Sequence, residues 1–458
     1  MTEPLWTSAE IAAATGGTAS AEFVCSGVTF DSREVGPGDL FIALKGATTD
    51  GHKFLNQSSE RGAAGAVVSV STPHPHVLVA DTTRALGDLG RASRARTRAK
   101  IIGVTGSVGK TGTKEALYAA LDRGEPGSAH RSLKSYNNHT GVPLSLARMP
   151  RRARFGVFEM GMNHAGELAQ LTRLVRPHVA IVTAIAPAHS EFFPDESAIA
   201  DAKGEIFQGL EPGGTAIIPF DSPHRDRLVA AARPHAARIV TFGIDEGADV
   251  RAIQTMRTER GTFVTAQLGD EELSYTVSQF GAHWVSNSLA VLAAVRAAGG
   301  DLALAGLALA ELGGIAGRGA RFTVAVPGGE VLVIDESYNA NPVSMAAALA
   351  VFADERATRK VAVLGDMYEL GEGSRAFHEG LVEPVKASGA QMVLLVGEAM
   401  GALANALEGV VDFVHVPDAQ TARDRLKAML APGDAVLIKG SNGVGLATVV
   451  AGLAGGKT

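Results

Sequence analysis

Residues 100–115 read Lys-Ile-Ile-Gly-Val-Thr-Gly-Ser-Val-Gly-Lys-Thr-Gly-Thr-Lys-Glu. An apolar run ends in a glycine-rich turn, and Gly109-Lys110-Thr111 then opens a segment that can begin a helix. This layout is typical of a phosphate-binding loop, because small residues let backbone N–H groups approach phosphate oxygens and the helix N-terminus adds positive potential. We expect Lys110 to reach the β- and γ-phosphates of ATP and the Thr111 hydroxyl to bind Mg²⁺. The predicted ATP-binding loop comprises Thr105, Gly106, Ser107, Val108, Gly109, Lys110, Thr111 and Gly112.

The loop departs from the strict phosphate-loop pattern at one position. The pattern has a glycine five residues before Gly109, where this chain has Val104, with Gly103 and Gly106 on either side. An ordinary strand–turn–helix corner is therefore the alternative. The apolar strand and the Gly-Lys-Thr triplet, in the order that a phosphate loop requires, favour the loop.

Apolar and helical segments alternate on the C-terminal side of this loop. A parallel sheet with crossover helices is predicted by the apolar runs at 155–161, 179–186 and 215–219. Residues 249–280 alternate polar and apolar positions around a Gly269-Asp270 turn, which predicts a small antiparallel patch. An alanine- and leucine-rich helix pair is predicted at about 284–312.

The glycine-rich stretch 313–319 is a predicted boundary, because it has four glycines and no core pattern. A second doubly wound α/β unit is predicted after it from apolar strands at 331–334, 361–364, 392–396, 411–416 and 435–438. On the other side of the phosphate loop, residues 1–97 show several short strands and few long helical patterns. We interpret Arg91 to Arg98 as a solvated helix end and linker.

The predicted fold is therefore α/β with three domains. They are a small α/β N-terminal domain (1–97), a central P-loop ATPase-like parallel sheet (98–316) and a C-terminal Rossmann-like doubly wound domain (317–458). A chain of 458 residues agrees with three domains of roughly 150 residues each. A hydrophobic content of 46% supplies ample material for their cores.

Composition narrows the classes of function. The formal net charge is -6 and the basic clusters are short, so nucleic acid is not an expected partner. A single cysteine, Cys25, excludes an internal disulfide framework and fits a reducing cytosol. The first residues lack a signal-peptide pattern, and no apolar run approaches the ~20 residues that cross a bilayer. We expect a cytoplasmic protein without membrane insertion.

Polar side chains follow two strands of the predicted central sheet. Glu159 lies at the carboxyl end of the strand predicted within the apolar run 155–161, where a carboxylate could bind Mg²⁺. A surface acid at a strand end is the alternative. His189 follows the next run and is either a site residue or a structural histidine. Lys203, further along, is either a solvated lysine or a lysine that CO₂ has converted to a metal-binding carbamate. Sequence chemistry alone does not justify the carbamate.

Three more polar clusters follow strands of the predicted third domain. They are Asp335-Glu-Ser-Tyr-Asn339-Ala-Asn341-Pro, Gly365-Asp366-Met-Tyr-Glu-Leu-Gly and Lys439-Gly-Ser441. Any one of them alone could be an ordinary polar loop without a binding role. Three at the same edge of one sheet predict a polar binding corner.

Together these motifs resemble the Mur ligases, the ATP-dependent amide-forming enzymes of bacterial peptidoglycan synthesis. The resemblance covers nearly the whole chain. Its other marks are Asp31-Ser32-Arg33, Leu44-Lys45-Gly46, Asp50-Gly-His52, Tyr136-Asn137-Asn138, Gly141-Val-Pro143 and Ala202-Lys203-Gly-Glu. The run Ser337-Tyr-Asn-Ala-Asn-Pro342 discriminates most sharply. It is similar to the loop of the dipeptide-adding branch and unlike that of the branch that adds a diamino acid.

The resemblance implies a monomeric ligase that adds D-alanyl-D-alanine to UDP-muramoyl tripeptide through an acyl phosphate. The third domain would bind D-alanyl-D-alanine and close over the cleft. Residues 1–97 would hold the UDP group through Asp31, Ser32, Arg33, Lys45, Gly46 and His52. Asn137 and Asn138 would also contact this substrate.

The resemblance also implies roles at the ATP site. Lys110, Lys203 and His189 would be catalytic. Thr111 and Glu159 would share one Mg²⁺, and His189 and carbamylated Lys203 would hold a second. The nucleotide would be enclosed by Asn287, Arg318, Asp335, Asn339 and Asn341.

Two residues depart from the family pattern. Trp284 replaces the first Asn of the frequent His-Asn-x-x-Asn motif, and Asn442 stands where Arg is frequent after Lys-Gly-Ser. Two other readings are a folylpolyglutamate synthase, which the Asp31-Ser-Arg segment disfavours, and a non-catalytic nucleotide-binding switch. A switch would need the phosphate loop but not Glu159, His189 and Lys203 together.

Overall fold

Three separate sheets divide the chain. The computed structural model describes residues 3–46, 48–187 and 191–455. Within these ranges the main sheets have five, nine and six strands, and a two-stranded ribbon accompanies the first. The predicted three-domain α/β fold class is confirmed. The domain boundaries at 97/98 and 316/317 stay predictions.

The first sheet has the order β2-β7-β6-β5-β4, in which β4 to β7 are parallel and β2 is antiparallel to β7. Strands β1 and β3 form the antiparallel ribbon. The elements, besides a 3₁₀ turn at Gly51–Phe54, are β1 (Trp6–Thr7), α1 (Ser8–Thr15), β2 (Thr18–Ala19), β3 (Val24–Cys25), β4 (Gly27–Thr29), β5 (Asp39–Ile42), α2 (Leu55–Glu60), β6 (Gly65–Val68), β7 (His76–Leu78) and α3 (Thr82–Arg96).

The central sheet has the order β16-β15-β14-β13-β12-β11-β8-β10-β9, parallel from β9 to β14. Besides a 3₁₀ turn at Glu205–Gly209, its elements are β8 (Lys100–Thr105), α4 (Lys110–Asp122), β9 (Ala129–Arg131), α5 (Gly141–Ala147), β10 (Phe155–Glu159), α6 (Glu167–Val175), β11 (Val179–Val182), α7 (Glu196–Gly204), β12 (Thr215–Pro219), α8 (Arg225–Ala232), β13 (Arg238–Gly243), β14 (Val250–Thr258), β15 (Gly261–Leu268), β16 (Glu271–Val277), α9 (Ala282–Ala298) and α10 (Leu302–Ala310). The predicted antiparallel patch is β14 to β16, which continues this sheet because β14 pairs with β13.

Two apolar layers cover the central sheet. Helices α4, α9 and α10 contribute to the layer on one face, and α5 to α8 contribute to the other. Helix α9 is apolar on most sides because it packs against both the strands and its neighbouring helices. In the described part of the chain, no helix combines the length and the apolarity that crossing a membrane would require.

The third sheet has the order β17-β18-β22-β19-β20-β21. The five predicted strands are present, but a sixth, β17, precedes them and pairs antiparallel with β18. Because β17 is half-exposed along its length, it lacks the apolar run of a buried strand. Besides 3₁₀ turns at Gly371–Gly373 and Asn442–Val444, the elements are β17 (Ala320–Val326), β18 (Gly329–Glu336), α11 (Pro342–Ala353), β19 (Arg359–Gly365), α12 (Ser374–Glu379), α13 (Val382–Ser388), β20 (Met392–Val396), α14 (Gly401–Leu407), β21 (Phe413–Val416), α15 (Ala419–Met429), β22 (Asp434–Lys439) and α16 (Ala447–Leu453).

The interpretation of Arg91 to Arg98 as solvated is wrong for Arg94. This residue lies on α3 and is 5% exposed. Its guanidinium donates to the carbonyl oxygens of Val175 (2.7 Å) and Arg176 (2.7 Å) and to the Glu211 carboxylate (2.9 Å). The basic stretch therefore contains an anchor between the first domain and the central sheet.

We expect Arg94→Met to lower the free energy of unfolding by about 3 kcal/mol. The substitution leaves a carboxylate and two carbonyl groups without their buried cationic donor, and breaking a buried pair in this way is costly. Urea denaturation measures the change. Arg91→Met is the matched control, because Arg91 is exposed and its pair with Asp88 is a surface ion pair. Equal effects of the two substitutions would contradict the anchor.

Candidate active site

The phosphate loop lies between the end of β8 at Thr105 and the start of α4 at Lys110. Two of its glycines have left-handed backbone angles: φ is +148° at Gly106 and +86° at Gly109. A β-carbon at Gly106 would lie 2.0 Å from the Oγ1 of Thr183. Val104, where the strict pattern has glycine, is a buried residue of β8. The loop thus has glycine where its backbone requires glycine, and the departure at Val104 falls within the strand.

Residues that follow β11 hold the loop in place. The Thr183 hydroxyl donates to the Val108 carbonyl (2.5 Å), and the Ser107 N–H donates to the Ala184 carbonyl (2.8 Å). The Ala186 N–H donates in turn to the Ser107 hydroxyl oxygen at 3.1 Å. The protein's own hydrogen bonds therefore set the loop conformation.

Lys110 lines the cleft beside the loop, and its Nζ donates to the Gly106 carbonyl at 2.6 Å. Burial lowers the pKa of this lysine; the Glu159 carboxylate opposes the shift and the Arg318 guanidinium adds to it. The side chain is held across the loop, where a bound phosphate would replace the carbonyl as its partner.

Glu159, at the end of β10, is buried among polar partners. Its carboxylate accepts hydrogen bonds from the Thr111 hydroxyl (2.9 Å) and the Asn137 amide (2.8 Å). A carboxylate and a hydroxyl oxygen form a donor set that suits a hard cation such as Mg²⁺. Clusters of three or more His, Cys, Asp or Glu side chains placed to hold a metal are not found in the described ranges. A metal site here would therefore need the Thr111 hydroxyl as a ligand beside the Glu159 carboxylate.

Lys203, near the end of α7, is fully buried, and its Nζ has no hydrogen-bond partner among the described residues. Burial lowers its pKa well below the ordinary value, and the charge of Lys110 lowers it further. The predicted metal ligand His189 lies outside the described residues. Lys203 is therefore a buried polar group whose environment disfavours the ammonium form.

The third domain supplies the opposite wall of the cleft. Arg318, Asn339 and Asn341 line the same cavity as Lys110, which has a volume of about 430 Å³. The guanidinium of Arg318 lies over the Tyr338 ring, 4.3 Å from its centroid. The structure thus brings most of the predicted nucleotide residues of both domains to one cavity, and the exceptions are Thr105, Gly106 and Asp335.

Asp335 does not line the cavity. Its carboxylate accepts hydrogen bonds from the Gly317 N–H (2.7 Å) and from the Ser337 N–H and hydroxyl (3.0 and 2.6 Å). Asn341 has a structural task as well, because its Oδ1 caps α11 by accepting from the Ser344 N–H. The carboxylate of Asp335 therefore holds the backbone at Gly317 and Ser337, and its contact with nucleotide stays a prediction.

Two residues of α9 pack against the phosphate loop. A β-carbon at Gly109 would lie 2.9 Å from the Oδ1 of Asn287, and one at Gly112 would lie 2.9 Å from the Trp284 ring. The Trp284 ring thus packs against the first turn of α4, where it leaves no room for a side chain at Gly112. Burial lowers the pKa of the neighbouring His283 to about 4.

The predicted UDP-substrate residues belong to the first domain and do not line this cavity. They lie in loops, except for His52 in the 3₁₀ turn Gly51–Phe54. Arg33 forms an ion pair with Asp31 at 2.7 Å, which helps to lower the pKa of that carboxyl to about 2. Ser32 is buried, whereas Lys45 and Gly46 are exposed. The His52 ring contacts the Asp50 carboxylate.

The two predicted substrate asparagines differ in position. Asn137 lines the cavity, whereas the Oδ1 of Asn138 accepts from the Gly141 N–H at 2.9 Å and so fixes the start of α5. Contact of either asparagine with the substrate stays a prediction.

Sequence reasoning left several site residues unassigned. Lys114 lies fully buried one turn after Lys110, 3.9 Å from Glu159. Lys439 donates to the Asn339 carbonyl (2.8 Å) and lies 3.7 Å from the Glu336 carboxylate. Burial lowers the pKa of Lys439 and raises that of Glu336. The spacing of four residues between Lys110 and Lys114 was the available signal, since it places both on one helix face.

A phosphate loop that faces a Rossmann-like domain across a polar cleft defines a nucleotide-dependent enzyme of the three-domain α/β class. Family models cover most of the chain: the Mur ligase family catalytic domain at residues 24–94, the Mur ligase middle domain at 104–295 and the Mur ligase glutamate ligase domain at 320–442. The chain belongs to the Mur ligase family, the ATP-dependent ligases that form amide bonds.

Individual relatives agree with this membership. The chain is 35% identical over 445 residues to UDP-N-acetylmuramoyl-tripeptide--D-alanyl-D-alanine ligase of Escherichia coli strain K12, which covers 94% of each chain. A crystal structure of MurF from Acinetobacter baumannii has a TM-score of 0.84, 31% identity and coverage of 98% of this chain and 99% of its own. MurF ligase from Thermotoga maritima in complex with ADP has a TM-score of 0.77, 27% identity and coverage of 94% and 97%.

Proposed function

We propose that this chain is the ATP-dependent ligase that joins D-alanyl-D-alanine to UDP-N-acetylmuramoyl-tripeptide, which yields the UDP-muramoyl pentapeptide of peptidoglycan synthesis. The observation that carries the proposal is the cleft, where Lys110, Thr111 and Glu159 face Arg318 and Asn339 of the third domain. Relatives of nearly equal length that are named for this reaction support it, and the relative with bound ADP supports the nucleotide.

The chemistry follows from charge. The tripeptide carboxylate is anionic and therefore a poor acyl donor. Its oxygen attacks the γ-phosphorus of ATP, the bond to ADP breaks, and an acyl phosphate forms. The amine of D-alanyl-D-alanine then attacks the acyl carbon and loses a proton, and the tetrahedral intermediate expels inorganic phosphate. Lys110 stabilises the charge that develops on the transferring phosphoryl group.

We also propose that Thr111 and Glu159 hold Mg²⁺. Their hydroxyl and carboxylate oxygens suit this ion, which would screen the repulsion between the two anionic reactants. A second Mg²⁺ would be held by His189 and by Lys203 in its carbamate form.

The buried, unpartnered Nζ of Lys203 supports the carbamate. A lysine amine must be neutral to attack CO₂, and burial, which lowers the pKa of Lys203, increases the share of the neutral form. The N–C bond forms, a proton leaves, and the product is an anionic oxygen ligand in place of a cation. Carbamylation would thus convert an unsatisfied buried group into one that attracts Mg²⁺.

The three domains divide the substrates in this proposal. Residues 1–97 hold the UDP group, residues 98–316 bind ATP, and residues 317–458 bind D-alanyl-D-alanine and close the cleft. Both walls of the cleft come from one chain, so we propose a monomer as the working unit. We place the reaction in the cytoplasm, where ATP is available.

Phosphate release tests the function directly. Purified protein with ATP and Mg²⁺ should release phosphate only when UDP-N-acetylmuramoyl-tripeptide and D-alanyl-D-alanine are both present. Mass spectrometry should then find the pentapeptide product. Turnover with a diamino acid in place of the dipeptide, or release that does not depend on the UDP substrate, would overturn the assignment.

We expect Arg33→Ala to raise KM for the UDP substrate about tenfold and to leave KM for ATP unchanged. The guanidinium of Arg33 is 83% exposed, and beside its ion pair with Asp31 it has N–H groups left that could bind a phosphate of the UDP group. One charge-assisted hydrogen bond is worth about 1.5–3 kcal/mol. Initial rates with each substrate varied in turn measure both constants. Arg84→Ala, at an exposed arginine of α3, is the control. An equal rise in both KM values would argue against this placement of the UDP group.

A further inference from the structure

Lys114 is a fully buried lysine that the reaction, as described so far, does not use. It lies on α4, one turn after Lys110. Its Nζ donates to the Lys134 carbonyl at 2.7 Å and lies 3.0 Å from the Glu115 carboxylate and 3.9 Å from that of Glu159. A buried cation is costly unless several partners compensate it, and here the partners include the predicted Mg²⁺ ligand.

The segment 132–138 contacts Glu159 at two points, once at its carboxylate and once at its backbone. The Asn137 amide donates to Glu159 Oε1 at 2.8 Å, and the Glu159 N–H donates to the Ser132 hydroxyl oxygen at 3.2 Å. The Lys134 carbonyl, in the middle of the segment, is the group that Lys114 holds. Lys114 and this segment therefore fix Glu159 from two sides.

The other side of segment 132–138 contacts the first domain at Glu34 and Phe30. The Lys134 ammonium pairs with the Glu34 carboxylate, and the Tyr136 hydroxyl donates to it at 3.3 Å. The Tyr136 ring packs against Phe30 with 5.5 Å between the ring centroids. Glu34 follows Asp31-Ser32-Arg33 directly, so the contact lies at the predicted UDP-binding loop.

The backbone of Lys134 is strained. Its φ is +52°, a left-handed value that non-glycine residues rarely adopt. Such a conformation persists only where its surroundings impose it. Here the side chain is tied to Glu34 and the carbonyl to Lys114, which are on opposite sides of the residue.

We propose that Lys114 is a positioning residue that sets the Glu159 carboxylate and, through Lys134, couples it to the UDP-binding loop of the first domain. Binding of the UDP substrate next to Glu34 alters the ion pair between Glu34 and Lys134 and so shifts the Lys134 backbone. Because Lys114 is bonded to the Lys134 carbonyl, it moves with that carbonyl and changes the position of the Glu159 carboxylate. This inference rests on the proposed function, because it assumes that the first domain binds the UDP group and that Glu159 binds Mg²⁺.

The first test uses Lys114→Met, which keeps an unbranched side chain only one atom shorter and removes its charge. We expect kcat to fall about 100-fold, KM for ATP to change less than threefold, and the Mg²⁺ concentration for half-maximal rate to rise about tenfold. Calorimetry with ADP adds a readout without turnover: the gain in ADP affinity that Mg²⁺ gives the wild type should shrink about tenfold. A merely structural lysine would not change the Mg²⁺ dependence.

Lys360→Met is the matched control, because Lys360 Nζ also donates to a backbone carbonyl, that of Ala353 at 2.5 Å, but does so in the third domain. It should leave kcat and the Mg²⁺ dependence unchanged. If Lys114→Met behaves like this control, the positioning role is refuted. A wild-type protein that makes no pentapeptide would instead refute the proposed function, which keeps the two failures distinct.

Glu34→Gln tests the coupling at a partly exposed residue of the other domain, so it does not depend on the folding of Lys114→Met. We expect it to raise the half-maximal Mg²⁺ concentration two- to threefold in the wild type and to have no further effect when Lys114 is Met. An unchanged Mg²⁺ dependence in Glu34→Gln, or effects of the two substitutions that simply multiply, would overturn the coupling.

Discussion

Lys110→Ala is expected to lower kcat by about a thousandfold and to leave the fold intact. The Nζ of this lysine is held across the phosphate loop by the Gly106 carbonyl, in the cavity that Arg318 closes from the other side. Removing a cation that stabilises a transferring phosphoryl group has effects of this size in other enzymes. Steady-state phosphate release with both substrates measures kcat, and circular dichroism checks the fold.

The control for this substitution is Lys100→Ala, at the exposed start of the same strand β8. It should retain full activity. A near-normal kcat for Lys110→Ala would remove the basis for the phosphate-loop assignment.

Lys203→Ala should abolish turnover, and small carboxylic acids such as acetate should partly restore it. The substitution removes the proposed carbamate and leaves a buried space beside the proposed metal site, where a free carboxylate could supply the missing oxygen ligands. Measuring the rate against acetate concentration at constant ionic strength reveals the rescue.

Lys110→Ala is the comparison for the rescue, because an added anion cannot replace a lost cation. Restoration of both variants by acetate would mean that the acid acts elsewhere. Carbon-13 NMR of protein equilibrated with labelled bicarbonate provides the independent check. The wild type should show a carbamate signal that Lys203→Ala lacks. A wild-type spectrum without that signal would contradict the modification.

Hydrophobic periodicity predicted the sheets because buried parallel strands are continuous apolar runs. It could not predict β17, since one face of this strand is open to solvent and its pattern is therefore mixed. Arg94 was read as solvated for a related reason. An arginine in a basic stretch is usually a surface residue. The carbonyl groups that accept hydrogen bonds from Arg94 lie some eighty residues away in the sequence, so the local pattern could not reveal them.

The candidate site shows a similar division between local and distant information. Glycine spacing located the phosphate loop, because backbone angles and helix start are local properties. The partners of Asp335 and Asn341 depend on how a linker and a helix cap fold, and sequence could not show that these side chains are already engaged. Lys114 needed the tertiary structure, because its role follows from the contacts of segment 132–138 with both Glu159 and Glu34.

The position of Trp284 at the cleft allows its fluorescence to report on nucleotide binding. The chain has two tryptophans. Trp6 is sealed in the first domain beneath the Arg96 guanidinium, 3.6 Å from its ring centroid, whereas Trp284 packs on Gly112 at the wall of the ATP cavity. Indole fluorescence follows the charge and polarity around the ring. In a Trp6→Phe background the remaining emission comes from the cleft alone, so nucleotide occupancy can be followed in real time without a label.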